Sequence, residues 1–270
     1  MGSSLPSAIL LDAVDQLERN SAKADEDIRL IKSQLSEAVD GCIAAAGYEW
    51  DPYWQKQLLK AASFGKAFLE LYNSDEFVEM CRVLRVLNAI RDYKVGLPIS
   101  FTQYQKIGSE GVIERLMNRR EHFLAVKICE YLEIPADRVY TNWACLKVRA
   151  LVPKLIQIRL SNEDEDTICR KIVDKLRLQN GAHYDEAAKT AFEEGRVGLA
   201  TKLLDYEPRA GKQVPLLLDM KQDEVALVKA IESGDTDLGM IIVSLSDISS
   251  RGYAPSSKEI TISPVLQSDQ

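Results

Sequence analysis

The sequence predicts an all-α fold, an α-solenoid of stacked helical hairpins, from three observations. First, Ala191-Phe192-Glu193-Glu194-Gly195-Arg196-x-x-Leu199 recurs 39 residues later as Ala230-Ile231-Glu232-Ser233-Gly234-Asp235-x-x-Leu238. Second, Leu124-Ala125-Val126-Lys127-Ile128-Cys129-Glu130-Tyr131 matches Leu199-Ala200-Thr201-Lys202-Leu203-Leu204-Asp205-Tyr206 at a spacing of 75, about two repeat lengths. Third, a helical pattern in each of the first two copies runs into a glycine, Gly195 or Gly234. Glycine takes the left-handed conformation that ends a helix without a Cβ penalty. Self-similarity near 40 residues with two helices per unit marks a hairpin solenoid, in which each unit packs on its neighbours.

The elements follow in order. Residues 4–20 place Leu10, Val14 and Leu17 on one face. A second helix is expected over 25–47, with Asp25, Glu26 and Asp27 at its positive end and Gly47 as its stop. Asp51-Pro52 supplies an N-cap and a proline at the first helical position, so a long helix is expected over 52–72. The next runs over 74–91. Gly96 and Pro98 break the pattern, and residues 94–100 are expected to form a loop between groups of helices.

Short helices are expected over 109–119 and 121–132, ended by Pro135. Another spans 136–150 with Trp143 and Leu146 inside. Residues 151–160 have no counterpart in the repeats, and their six large aliphatics are expected to extend the stack or expose an apolar patch. The polar run at 161–166 caps a helix carrying Ile168, Ile172, Val173 and Leu176. In the repeat pair Leu199, Leu203 and Tyr206 share one face, as do Leu238, Ile241, Ile242 and Leu245. Asp235 is the expected N-cap of the last repeat helix, and Ala200 and Ala230 the expected packing residues at helix crossings. The expected domain is a solenoid over 1–250 with a candidate break near 94–100, and a disordered tail over 251–270.

Thirty-four basic against 41 acidic residues give a net charge of −7, which disfavours a nucleic-acid grip. Eighteen consecutive apolar residues do not occur, and the amino end lacks the pattern of a signal peptide. Cys42, Cys81, Cys129, Cys145 and Cys169 lie in apolar helical patterns without a CxxC, and read as buried free thiols of a reducing, cytosolic compartment.

Chemistry-bearing motifs are sparse. His122 and His183 lie in different helices, each read as a helix-surface or boundary residue, so no metal or catalytic site is expected. Ser63-Phe64-Gly65-Lys66 superficially resembles a phosphate loop but falls inside a helical pattern, where a small residue serves helix packing. The run at 163–166 lacks the central glycine of a calcium loop. Arg115, Arg119 and Arg120 form a small basic cluster, read as a solvated face in an acidic chain. Trp50, Trp54 and Trp143 read mainly as core. Pro208 and Pro215 bracket an expected irregular corner carrying Arg209 and Lys212, a candidate binding surface on a rigid stack.

Several motifs in one order carry a resemblance. They are Gln57-Leu58-Leu59-Lys60-Ala61-Ala62-Ser63-Phe64-Gly65-Lys66, Leu84-Arg85-Val86-Leu87-Asn88-Ala89-Ile90-Arg91, Asn142-Trp143-Ala144-Cys145, Tyr206-Glu207-Pro208-Arg209, Gln213-Val214-Pro215-Leu216-Leu217-Leu218, and the segment from Lys229 to Leu238. Together they resemble the C-terminal region of the vacuolar protein sorting-associated protein sixteen family, over roughly residues 6–241.

The resemblance implies a non-enzymatic α-solenoid scaffold in the class C core of the HOPS and CORVET tethering complexes. These dock endosomal, lysosomal or vacuolar membranes and promote SNARE assembly. The implied partners are an SM-family subunit and the other class C core subunits, with SNAREs reached indirectly and no cofactor. The implied location is cytoplasmic and peripheral on late endosomal and vacuolar or lysosomal membranes. The SM-family subunit is expected on the C-terminal repeats, with Arg196, Arg209, Lys212 and Lys221 as partner-binding cations. The family's N-terminal β-propeller has no counterpart here, residues 151–160 stand where the resemblance expects a short polar loop, and the tail departs from the family beyond about Ile242. A coat-type helical-repeat adaptor is the alternative, followed by an enzyme with a pocket between repeats.

Overall fold

The computed structural model describes residues 4–150, 165–177 and 183–240. Every regular element among them is helical, and no strand occurs among the described residues. The insert at 151–160, the tail at 251–270, and Ile241, Ile242 and Leu245 lie outside the described residues. The chain divides into two units, Met1–Val139 and Tyr140–Gln270.

In the first unit α1 (Pro6–Glu18) starts with its proline in the first turn and buries Leu10, Ala13 and Val14. Leu17, expected on that face, is about half exposed. The single helix expected over 25–47 is divided into α2 (Lys23–Leu30), a 3-10 turn (Lys32–Gln34) and α3 (Leu35–Tyr48). The break falls at Ile31, which is buried, and it lets α2 and α3 each lie against α1. Asp51 caps α4 (Pro52–Lys66) as expected, accepting from the Tyr53 amide at 2.9 Å.

Gly65 is where α4 crosses its neighbours. A Cβ there would meet Leu10 Cδ2 and Val39 Cγ2 at 2.8 Å, so the phosphate-loop lookalike is a packing notch. The helix stops at Lys66, short of 72, because the amides of Ala67, Phe68 and Leu69 tighten onto carbonyls three residues back.

After α5 (Asp75–Arg91) the connection turns inward, burying Leu97 and Ile99. Arg91 donates from Nε to the Ile99 carbonyl at 2.9 Å, and its guanidinium lies 3.9 Å from the Trp50 ring centroid. Trp50 and Trp54, expected as core, are 49% and 50% exposed. Trp50 precedes α4 and Trp54 lies in its first turn.

The next helix, α6 (Phe101–Asn118), starts eight residues before the expected position. Ser100 and Gln103 form a capping box that the sequence reading passed over, and Gly108 (φ +69°) kinks the helix where the start was expected. α7 (His122–Leu132) completes the unit.

The division between units falls within α8 (Asp137–Arg149). Ala144 and Val148 are its fully buried residues in the second unit, whereas Trp143 and Leu146 are only partly covered. α9 (Glu165–Leu176) buries Ile168, Ile172, Val173 and Leu176 as expected. Then come α10 (Tyr184–Glu193), α11 (Val197–Leu204), α12 (Ala210–Asp219), α13 (Asp223–Ser233) and a helical turn at 236–240. α10 packs on α11 and α12 on α13, while α9 reaches α11 and α10 reaches α12. Contact with the next helix and the next but one is what a stack of hairpins produces.

The repeats hold in three dimensions. Gly195 and Gly234 have φ of +77° and +70°, Asp235 accepts from the Asp237 amide at 3.0 Å, and Ala200 and Ala230 are buried. In the upstream copy Ala125, Ile128 and Cys129 are buried, as are Ala200, Leu203 and Leu204 at the matching positions. Even the partly exposed tyrosines correspond. Arg85 stacks over Tyr131 at 5.3 Å in the first unit, and Arg177 over Tyr206 at 5.2 Å in the second.

Candidate interaction surface

The corner expected to be irregular between Pro208 and Pro215 is built differently. α12 begins at Ala210 and carries Pro215 inside it, so the connection from α11 is only residues 205–209. Glu207 anchors that connection. Its side chain has no solvent exposure, and Oε2 accepts from the amides of Tyr184 and Asp185 at 3.1 and 3.2 Å. These amides open α10 and have no partner within the helix, so the carboxylate acts as a remote N-cap on its positive end.

Arg209 closes the arrangement. Its Nε donates to Glu207 Oε1, and its Nη2 lies 3.1 Å from Glu207 Oε2 and 3.4 Å from Asp185 Oδ1. Lys212 Nζ pairs with Asp185 Oδ2 at 2.9 Å, and His183 Nδ1 lies 3.3 Å from both cations. Burial draws the Asp185 carboxyl upward, but Lys212, then Arg209 and His183, outweigh it and leave it below the usual carboxylate range. The Glu207 carboxylate is the main cause that raises the Arg209 guanidinium. Gln213, also buried, donates to the Leu204 carbonyl at 2.7 Å and fastens α12 to the end of α11.

Arg209 and Lys212 therefore meet around Asp185. The structure does not bring the other two expected cations to this cluster: Arg196 stands at the N-cap position of α11, and Lys221 at the turn between α12 and α13 with φ +59°. Arg209 faces two carboxylates, Glu207 and Asp185, and its side chain is 40% exposed. Glu207 carries no expected role in the sequence, where it appears only within the Tyr206-Glu207-Pro208-Arg209 motif. The available signal was an acidic residue between an aromatic and a proline directly before a helix start.

Elsewhere the expected features resolve as structure. His183 is a helix-boundary residue preceding α10. Asp166, in the acidic run, pairs with Lys202, and Arg119 donates to the Val95 carbonyl. The five cysteines are free; Cys42, Cys129 and Cys169 are buried, Cys81 and Cys145 partly so. Burial pushes the Cys42 thiol up to about 11 and raises the other four, which disfavours the reactive thiolate. Among the described residues no group of three or more His, Cys, Asp or Glu could hold a metal ion. No helix among them is long and apolar enough to cross a membrane.

A stack of helical hairpins whose polar clusters serve as caps and clamps defines a helical-repeat protein of the solenoid class. Residues 1–79 match the family model described as Vps16, N-terminal region, and residues 182–250 match Vps16, C-terminal region. The chain is 48% identical over 243 residues to the vacuolar protein sorting-associated protein 16 homolog of Dictyostelium discoideum, and 44% identical over 243 residues to protein VACUOLELESS1 of Arabidopsis thaliana. It is 29% identical over 255 residues to vacuolar protein sorting-associated protein 16 of Saccharomyces cerevisiae. These alignments cover 90%, 90% and 91% of this chain, and 28%, 27% and 30% of the respective relatives. The chain belongs to the Vps16 family, and it spans less than a third of the length of these relatives. The family resemblance read from the motifs is thereby confirmed, with matches to the N-terminal region as well as the C-terminal one.

Proposed function

We propose that this chain is a non-enzymatic scaffold segment of an endosomal and vacuolar membrane-tethering complex of the HOPS and CORVET kind. It takes part in vacuolar protein sorting and holds an SM-family subunit that promotes SNARE assembly. The observation that carries the reading is the family membership, since relatives named for vacuolar protein sorting align over 90% and 91% of this chain. In this reading the protein is cytoplasmic and associates peripherally with late endosomal and vacuolar membranes through the complex.

The second unit supports a docking role physically. Glu207, Arg209 and Gln213 tie α10, α11 and α12 together, so a partner meets preorganised groups and less ordering entropy opposes binding. Lys221 is exposed on the α12–α13 turn, and Val228 and Ile231 present an apolar face of α13 nearby in sequence. Exposed apolar side chains and a cation on one hairpin are the components of a polar-rimmed interface.

The test is calorimetric titration of the folded chain with a purified SM-family subunit. Binding that weakens with Ile231→Asp and Lys221→Glu, at unchanged melting temperature, is the expected result. Absence of binding by the folded chain, or binding indifferent to both changes, overturns the assignment.

A further inference from the structure

The first unit carries a groove with its own chemistry, formed where α3, α5 and α6 meet. It has a volume of about 700 Å³. Ile43, Met80, Val83, Phe101 and Tyr104 make its apolar lining. Gly47 of α3 lets Met80 and Phe101 pack closely, because a Cβ there would meet Met80 Cε and Phe101 Cδ1 at 3.0 Å. At the mouth Tyr48 is 68% exposed, although its ring is held edge-on against Phe101 at 5.8 Å. A large aromatic held in place yet uncovered is the kind of side chain that anchors interfaces.

The rim is acidic. Asp40 comes from α3, and Asp75, Glu76 and Glu79 from α5; all four are exposed. Among the described residues lining the groove there is no lysine or arginine. Asp75 and Glu76 also suit the positive end of α5, but Asp40 and Glu79 have no such reason to be there. The field is felt by the neighbouring phenols. Burial and then Glu79 raise Tyr104, and burial followed by Asp40, which accepts from the Tyr72 hydroxyl at 2.6 Å, raises Tyr72. Carboxylates around low-dielectric walls concentrate a negative potential that attracts and orients a cationic ligand.

We propose that this groove docks a basic amphipathic helix of a partner protein, its large apolar side chains on Met80, Phe101 and Tyr104 and its lysines or arginines against Asp40, Glu76 and Glu79. Apolar anchors at i, i+3 or i+4, and i+7 along one helix face match a groove of this form, and cations flanking them supply the complementary charge. The surface belongs to the Met1–Val139 unit and does not rest on the SM-subunit reading. Failure of either leaves the other standing.

The experiment uses the whole chain and a fluorescein-labelled synthetic peptide of about 18 residues with leucines at helical spacing and lysines elsewhere. A scrambled peptide of the same composition, without an apolar face, reports charge attraction alone. The protein variants are Glu76→Lys with Glu79→Lys, on exposed side chains, and Ala44→Trp, which fills the groove from an exposed position. Fluorescence anisotropy is expected to show saturable binding of the amphipathic peptide, weakened about tenfold or more by scrambling and by either variant. Scrambled peptide binding as tightly as the amphipathic one overturns the proposal. Retained binding by the charge-reversed protein also overturns it, whatever Ala44→Trp does.

Discussion

Glu207 and Arg209, two residues apart in sequence, share one ion pair in which the carboxylate is fully buried and the guanidinium is 40% exposed. The buried member also caps α10 through the Tyr184 and Asp185 amides. The pair is thus a joint between hairpins more than a surface feature. Glu207→Ala leaves two helix-terminal amides unmet and Arg209 without its main partner, and should cost roughly 2–4 kcal/mol. Chemical denaturation with urea measures this. Arg209→Ala should cost less, since solvent takes over part of the guanidinium's bonds. Arg209→Glu would set a third carboxylate against Glu207 and Asp185, so it tests folding and not partner binding.

Asp185 gives the same joint a pH dependence. Its carboxyl lies below the ordinary range in the folded protein, with Lys212 and Arg209 beside it. A group depressed on folding contributes stability that is complete above its unfolded pKa, about 3.9, and disappears as pH falls through the lower folded value. The melting temperature of the protein should therefore drop between about pH 4 and more acid conditions, and Asp185→Asn should make that drop shallower. An equal drop in wild type and variant would place the acid sensitivity elsewhere.

Ala200 and its upstream counterpart Ala125 are both fully buried at matching points of the repeat. A carboxylate at either site would have to be buried in the helix packing, so Ala200→Asp and Ala125→Asp should each lose several kcal/mol. Circular dichroism melts of the two variants give the comparison. A melt within a degree of wild type for either one would break the equivalence of the two copies.

Helix existence and the repeat register were legible in the sequence because both rest on spacing: glycine stops at Gly195 and Gly234, small residues at Ala200 and Ala230, and the Asp51-Pro52 start. Other stops were not, for a physical reason. Asn20, Arg120, Glu133 and Lys221 also take left-handed φ, and the amide after each bonds a carbonyl five residues back, as it does after Gly195. Of these four only Asn20 is of a type that favours the left-handed region, so at Arg120, Glu133 and Lys221 residue type does not announce the stop. The break at Ile31 and the half-exposed Trp50 and Trp54 depend on tertiary packing. At the candidate surface the cations were visible from composition, but the carboxylates that occupy Arg209 and Lys212 come from another helix, α10, and from the α11–α12 connection.

Gly65 makes a sharper test of packing than any large core residue. Its missing side chain is filled by Leu10 and Val39, so Gly65→Ala forces both to move even though alanine favours a helix by about 1 kcal/mol. Overpacking of this kind typically costs about 1–3 kcal/mol, so a net loss of stability is expected. A thermal melt at or above the wild-type value would show that α1 and α3 yield without cost.

Lys221 separates folding from binding at one position. Its φ of +59° is a conformation that costs an ordinary residue roughly 1–2 kcal/mol, and glycine avoids that cost. Glycine also frees the unfolded chain, which offsets part of the gain, so Lys221→Gly should stabilise the protein by about 0.5–1 kcal/mol. Lys221→Glu keeps the side chain's backbone preference and should leave the melt nearly unchanged. If the turn carries the SM-subunit contact, both variants weaken the complex: glycine by removing the charge, glutamate further by reversing it. The informative outcome is a more stable protein that binds less well, which no general loss of structure can produce. Lys221→Gly that stabilises while binding stays at the wild-type level would confine Lys221 to the turn and move the interface to the apolar face of α13.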